Sequence, residues 1–532
     1  MGWSFLLLTQ KTAKNPMIAT IVSNFQWFRN RLFQLFDYRA GATMDLIDAL
    51  AATATTDSVV KLSLSSLFAR TYSSLTDVLS SLFRTNLKTP PTDEEKQTQA
   101  FKVTQLLAER CAPGALESEK DPVLFAIDCT ANSRIYANKV DDRTNVHAPN
   151  HVPGQKPITI GHEYSVLVHL PNRPEDRDLH WVVPLSVRRV RSDQSGPQVG
   201  LMQLEEIVNR TDFKAHFCIS VTDAAYSTKD WVIGIDKWPH VVQIARVRSN
   251  RKFFRLPVPN SQTRRGRPQE YGEELVLQEP SEPDLEEVTT MITRKGREYQ
   301  VLLQRWNDVV MQGSKTERTH EHPFDLLKVT VMDEKGKPVY RRPLWVIIVG
   351  ARRRAVCSKD AHIAYGRRYD IEHFFRFGKQ RLQLVNSQTC KTHHEENWHW
   401  IGVLAYNMLY HARSLASAVP YPWEKKKIQV LNSIERPSQV QRDYGRIIRE
   451  IGTPAPAPKP RGKSPGRQLG QKSGERPDCP VIRKSAVKKE LSPKKQKPSA
   501  RQTKLPVHGV SRAQTRRMRR IWSRNRPPPI RC

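Results

Sequence analysis

The chain has 532 residues, 38% of them hydrophobic, with 86 Lys and Arg against 53 Asp and Glu, a formal net charge of +33. That balance argues against a small-molecule metabolic enzyme and for a polyanionic partner, nucleic acid ahead of a membrane surface. No run approaches the roughly 18 apolar residues of a membrane span, Trp3–Leu8 lacks the length and basic lead-in of a signal peptide, and seven scattered cysteines without a CxxC pair read as thiols of a reducing cytoplasm.

Residues 1–16 fit no later pattern, which makes Met17 an alternative start. Residues 18–112 read as a helical region. Phe25, Phe28, Leu32, Leu35 and Phe36 form an amphipathic stripe, and Met44–Ala52 is a second helix. Asp57–Leu82 holds two short apolar stretches around a Ser-rich break, compatible with a helix-turn-helix or with any small helical bundle. Thr89-Pro90-Pro91 then interrupts the chain before a helix over Glu94–Arg110.

From 113 to 251 the texture is that of strands: Val123–Ile127, Tyr164–Leu170, His180–Val187, Phe217–Val221 and Val241–Val247, with a helix over Leu201–Val208. Strands around a helix suggest a mixed α/β sheet. Residues 252–355 form a second strand-rich block through Tyr299–Trp306, Leu326–Met332 and Leu344–Val349, and a helical pattern runs over 356–420. The stretch 452–532 carries 23 Lys and Arg against three acids, 13 of the 37 prolines and one aromatic, Trp522. Such a composition cannot bury enough apolar surface to offset the entropy of ordering it, so a disordered basic tail is expected. It reads either as a solubilising extension or as a nonspecific arm on nucleic acid.

Two acids stand at the ends of apolar runs: Asp128 closing FAID and Asp223 closing SVTD. Each alone is also compatible with a turn or cap. A third, Glu372, lies on a helical pattern where Tyr365, Arg368, Glu372 and Lys379 fall within an arc of about 60° at 100° per residue. One helix face thus offers a hydroxyl, a guanidinium, a carboxylate and an ammonium in line, although a solvated charged face has the same appearance. Cys390, His393, His394 and His399 lack the paired spacing of a zinc site, and Asp370 falls on a different helix face from Glu372. Arg246, Arg248 and Arg251 follow a strand and fit either a nucleic-acid contact or a solvated rim.

The spacing Tyr365-x2-Arg368-x3-Glu372-x6-Lys379 resembles the Y-(2)-R-(3)-E-(6)-K signature of bacterial DDE transposases of the insertion-sequence-4-like superfamily. DCT after the first strand, GHEYSVL at 161–167, DAAYS after Asp223 and ARVRSN at 245–250 are similar to stretches of such enzymes, so that the resemblance covers roughly 20–418. It implies a ribonuclease-H-like core with a β-rich insertion, after a helical DNA-binding region. It further implies two Mg²⁺ ions, replaceable by Mn²⁺, with Asp128 shared between them and Asp223 and Glu372 holding one each. Arg368 and Lys379 would hold phosphates flanking the cut, Tyr365 would bond or stack nearby, and Trp306 is the expected platform for a flipped base. The partners so implied are double-stranded DNA and a second copy of the chain, and the location is the nucleoid. A structure-selective nuclease on the same core, or a catalytically silent DNA-binding derivative, remains compatible with the same residues.

Overall fold

The computed structural model describes residues 16–55, 58–86, 92–109, 111, 122–148, 156–172, 179–257, 269–292, 297–314, 316–418, 434–460, 466, 468–472 and 474–483. The chain divides into two units, 1–487 and 488–532, and the second lies outside the described residues. The first unit opens on helices α1 (Pro16–Gln34), α2 (Ala40–Ala52), α3 (Tyr72–Ser81) and α4 (Asp93–Glu109). The stripe of α1 is its buried side, with Phe25, Phe28 and Leu32 at 1% exposure or less. Within Asp57–Leu82 the first apolar stretch winds into a six-residue 3-10 segment, Val59–Leu64, so a pair of α-helices does not form there. Its two adjacent valines and short length favour the tighter turn over an α-helix.

The sheet begins with β1 (Val123–Ser133), β2 (Thr144–His147), β3 (Ile158–His169) and β4 (Val183–Val190). Helices α5 (Gly196–Val208) and α6 (Thr211–Lys214), strand β5 (Cys218–Thr222), helix α7 (Lys229–Ile235) and strand β6 (Val241–Arg246) follow. A Ser195–Gln198 capping box with proline in the first turn fixes the start of α5. β3 is antiparallel to both β1 and β4, whereas β5 and β6 run parallel to β1, in the order β4-β3-β1-β5-β6. This mixed core is consistent with the ribonuclease-H-like fold that the resemblance implies.

The strand-rich block supplies β7 (Lys252–Arg255), β8 (Glu274–Val276), β9 (Leu285–Ile292), β10 (Glu298–Val310), β11 (Phe324–Met332) and β12 (Leu344–Val349). These strands prolong the core sheet: β12 pairs antiparallel with β6, then β11 and β10 follow, with β9 and β7 on successive parts of β10. At the end of β12, Gly350 adopts φ 126°, and a Cβ there would meet the Val241 carbonyl at 2.5 Å, so the chain can leave the sheet only with glycine. Helices α8 (Ser358–Arg367), α9 (Tyr369–Arg381), α10 (Thr392–Ala412), α11 (Leu415–Ala418) and α12 (Pro437–Ile451) complete the unit.

Neighbouring residues of β1 separate the two faces, as strand geometry requires. Ile127 meets α5, where a Cβ on Gly200 would lie 3.0 Å from its methyl group, while Asp128 meets Arg368 between α8 and α9. Further along the Asp128 face, Asn132 on β1 and Tyr164 and His162 on β3 bond Glu395 of α10. α12 was not anticipated from the sequence. Its Tyr444 hydroxyl donates to Asp48 of α2 at 2.9 Å, which also takes a two-pronged bond from Arg29 of α1 at 2.6 and 2.7 Å. All three side chains are buried, so this triad ties α1 and α12 to α2.

Within the stretch expected to be a disordered tail, residues 475–482 lie along the loop after β1. Lys139 pairs with Asp478 at 2.9 Å, Arg143 donates to the Cys479 carbonyl at 3.0 Å, and Ile482 bridges Thr144 of β2. The free polar edge of β2 supplies partners that composition does not reveal. Residues 484–532 lie outside the described residues. No described helix is long and apolar enough to cross a membrane.

Candidate active site

Asp128 and Asp223 meet because of strand register. β1 runs on to Ser133, so Asp128 lies within the strand and not at its end, as the apolar run alone suggested. Beyond Ile127 the strand continues to pair with β3, Asp128 opposite Val166. On the other side the parallel partner stops: Ile127 is level with Thr222, the last residue of β5. Asp223 therefore comes level with Asp128 at the sheet's parting edge, one strand spacing of about 4.8 Å away. Asp223 also accepts a bond from the Ala225 amide at 2.8 Å, so its turn role and its place in the site coexist.

Glu372 is delivered by α9. The continuous helix expected over this region is broken at Arg368, where i→i+3 bonds, Arg368 N–H to the Tyr365 carbonyl at 3.0 Å and Ile371 N–H to the Arg368 carbonyl at 3.2 Å, tighten the turn. The guanidinium of Arg368 reaches Asp128 Oδ2 at 3.2 Å and Glu372 Oε1 at 2.6 Å and so bridges two of the acids. Burial, and then the charge of Asp223, push the Asp128 carboxyl up to about 6. Burial also raises the Tyr365 phenol, whose neighbours include Arg368 and Arg246.

The three acids, Tyr365 and Arg368 line one cleft of about 1040 Å³ with Arg246, Arg248, Lys328 and Arg342. Arg246 and Arg248 are exposed, and neither makes an ion pair or a side-chain hydrogen bond among the described residues. Lys328 of β11 and Arg342 before β12 were not singled out from the sequence. Only the pairing of β12 with β6 brings them beside Arg246, and no local motif marks them. A second cavity of about 390 Å³ shares Tyr365 and Arg368 and is walled by Val329, Val331, Tyr340 and Tyr369.

Two expected residues are not brought to the cleft. Trp306 is 1% exposed, tilts against Trp345 at 5.3 Å and donates its indole N–H to the Ser281 carbonyl at 2.9 Å. Its faces are covered, so no base can stack on it: the inward positions of β10 fill the core. Lys379 is half-buried further along α9, outside the cleft lining, and burial lowers its ammonium. Arg251 turns back to the Ser227 carbonyl at 3.1 Å.

Asp370 is fully buried between His180 at 2.7 Å and Arg367 at 2.9 Å, away from the cleft acids. His394 bonds Ser80, and His399 bonds the Glu395 carbonyl and stacks on Tyr164. Among the described residues no group of three or more His, Cys, Asp or Glu is drawn together as a ready metal centre. That includes the cleft acids as they stand, since Arg368 bridges two of them.

Residues 178–408 match the family model of the transposase DDE domain. The matched span holds Asp223, Tyr365, Arg368, Glu372 and Lys379 and leaves Asp128 outside it. No curated protein matches the chain. The family match supports a DDE transposase.

Proposed function

We propose that this chain is a cut-and-paste DNA transposase of the insertion-sequence-4-like kind, cleaving phosphodiester bonds at the ends of its element and joining them to new DNA. The observation that carries the reading is the meeting of Asp128 and Asp223 on parallel strands, with Glu372 entering from α9, in a cleft rimmed by cations. The donor set suits Mg²⁺, which takes hard oxygen ligands: the cleft lining contains no cysteine or histidine. The Asp128 carboxyl, pushed up to about 6 by burial and Asp223, shows a demand for positive charge that Arg368 only partly meets. Asp128, Asp223 and Glu372 would hold two Mg²⁺ or Mn²⁺ ions, which when bound supply an activated water or 3′-hydroxyl and stabilise the leaving oxygen.

The remaining roles fall to the chain's own side chains. Arg246, Arg248, Lys328 and Arg342 hold the DNA backbone and fix its register, a contact class that positions without reading sequence. Arg368 exchanges its carboxylate partners for a phosphate next to the cut, and Tyr365 donates its hydroxyl beside it. Lys379 takes a phosphate further along α9. Two copies act together, one on each element end. The test is cleavage of a plasmid carrying the gene with its native flanks, in Mg²⁺ or Mn²⁺. Wild type nicks at defined positions on both flanks and E372Q does not, although E372Q still binds the DNA. Cuts that ignore the flanks and follow junctions instead favour a structure-selective nuclease, and binding without any cut favours a silent derivative.

A further inference from the structure

A cavity of about 400 Å³ lies beside α9, outside the cleft lining, and is lined by Arg376 and Arg381 of α9, Arg436 and Ser438 at the start of α12, and the stacked imidazoles of His180 and His373. No acidic residue lines it. All three arginines are exposed, and none makes an ion pair or side-chain hydrogen bond among the described residues. Elsewhere in the unit arginines meet carboxylates, as Arg188, Arg189, Arg305 and Arg353 do. The nearby Asp370 is already used by His180 and Arg367.

A solvated basic face accounts for part of this. Arg381 stands in the last turn of α9, where the helix dipole favours a cation. Arg436 is different. It occupies the N-cap position of α12, where the dipole's positive end and two further guanidinium groups make a cation unfavourable. A bound anion removes that conflict. The spacing also suits a chain of phosphates: at 1.5 Å per residue Arg376 lies roughly 6 Å and Arg381 roughly 13 Å along the α9 axis from Glu372.

We propose that Arg376, Arg381 and Arg436 form a phosphodiester-binding pocket that takes the backbone of the DNA strand leaving the catalytic cleft along α9. This rests on the transposase reading of that cleft and adds a second anchoring point outside it. Arg436 lies beyond the span of the family match.

The test is fluorescence anisotropy of the full-length protein on a labelled duplex of its own flanking sequence, between 50 and 200 mM salt. R376Q/R381Q/R436Q is compared with wild type and with R191Q/K237Q/R318Q, which removes the same charge at exposed positions outside the cleft, the pocket and the helical region. A protein loses about 0.9 of salt slope per phosphate contact on duplex DNA. The pocket variant is expected to lose about 2 to 3 in slope and roughly tenfold or more in affinity at 100 mM salt, while the control variant changes little. R436K separates charge from folding: it should bind as wild type does, with both pocket variants keeping the wild-type melting temperature. Equal slopes and affinities for the pocket and control variants, with wild-type cleavage intact, overturn the pocket and leave the transposase reading standing. Displacement of the pocket's effect by millimolar inorganic phosphate, without any change in DNA slope, overturns it in favour of a small-anion site. A wild-type protein that neither binds nor cuts the DNA overturns both.

Discussion

The guanidinium of Arg368 lies 3.2 Å from the carboxylate of Asp128 while its other nitrogen holds Glu372 at 2.6 Å, so a resident cation stands where the proposed chemistry calls for metal charge. Opening that bridge frees two oxygen ligands from two partly exposed salt-linked contacts, an effect on the order of 1.4 kcal/mol or tenfold in affinity. R368Q is therefore expected to bind Mn²⁺ about tenfold more tightly than wild type in the absence of DNA, and yet to cut DNA more slowly because a phosphate contact is lost. Mn²⁺ electron paramagnetic resonance titration measures the first and nicking rate the second. Equal Mn²⁺ affinity in the two proteins contradicts the bridging role.

The raised Asp128 carboxyl makes a statement about stability. Its folded pKa of about 6 lies above the ordinary value of 3.8, so the folded state holds the proton more tightly. That contribution is complete below about pH 4 and is lost as pH rises through 6. D128N removes the cost of the buried carboxylate and should stabilise the protein at pH 8 by about 1 to 2 kcal/mol, less than two full pKa units because the side chain is partly exposed. The gain should vanish at pH 4. Urea unfolding of both proteins at the two pH values checks this.

Glu395 behaves in the opposite sense. Burial alone would raise its carboxyl, but the His162 hydrogen bond and the charge of Arg134 hold it down to about 2. The stability it contributes is present above about pH 4.5 and is lost as pH falls towards 2. E395Q leaves the buried Arg134 with only the Ser387 and Thr389 carbonyls and no carboxylate, and should cost about 3 to 5 kcal/mol at pH 7, with a smaller difference at pH 3. A cost that is equal at both pH values would show that packing, and not charge, accounts for it.

Trp306 supplies a discriminating control. Because its indole is enclosed by the core and its N–H is bonded to Ser281, W306F should destabilise by about 1 to 2 kcal/mol through the lost hydrogen bond and smaller volume. Cutting by the folded W306F protein should remain at the wild-type rate. A selective loss of cleavage without loss of stability contradicts its placement in the core.

The elements of the core were legible where periodicity was strong: the apolar runs from Val123, Phe217 and Val241 are the three parallel strands, and the stripe of Phe25, Phe28 and Leu32 is the buried side of α1. Asp128, Asp223 and Glu372 line one cleft, while in the sequence only the resemblance grouped them. What was not legible depends on long-range pairing. β1 outlasts its apolar run because β3 pairs with residues 128–133, and Lys328 and Arg342 reach the cleft only through the β6–β12 pairing. α12 has a local signal that went unread in the sequence, the buried stripe Val440, Tyr444, Ile447, Ile448 and Ile451 at helical spacing, but its docking through Tyr444 on Asp48 joins residues 396 positions apart that no local window contains. Trp306 shows the converse: an aromatic in the right block is claimed by the core before it can serve a ligand.

The most direct measurement of the central claim is recovery of joined DNA. The purified protein is incubated with a donor carrying its gene and native flanks, a target plasmid and Mg²⁺, and new junctions are sequenced. The account predicts junctions that always begin at the same two donor positions, that require divalent metal, and that are absent with D128N, D223N or E372Q. Donor cuts without any joined product, or junctions that persist in E372Q, would contradict it.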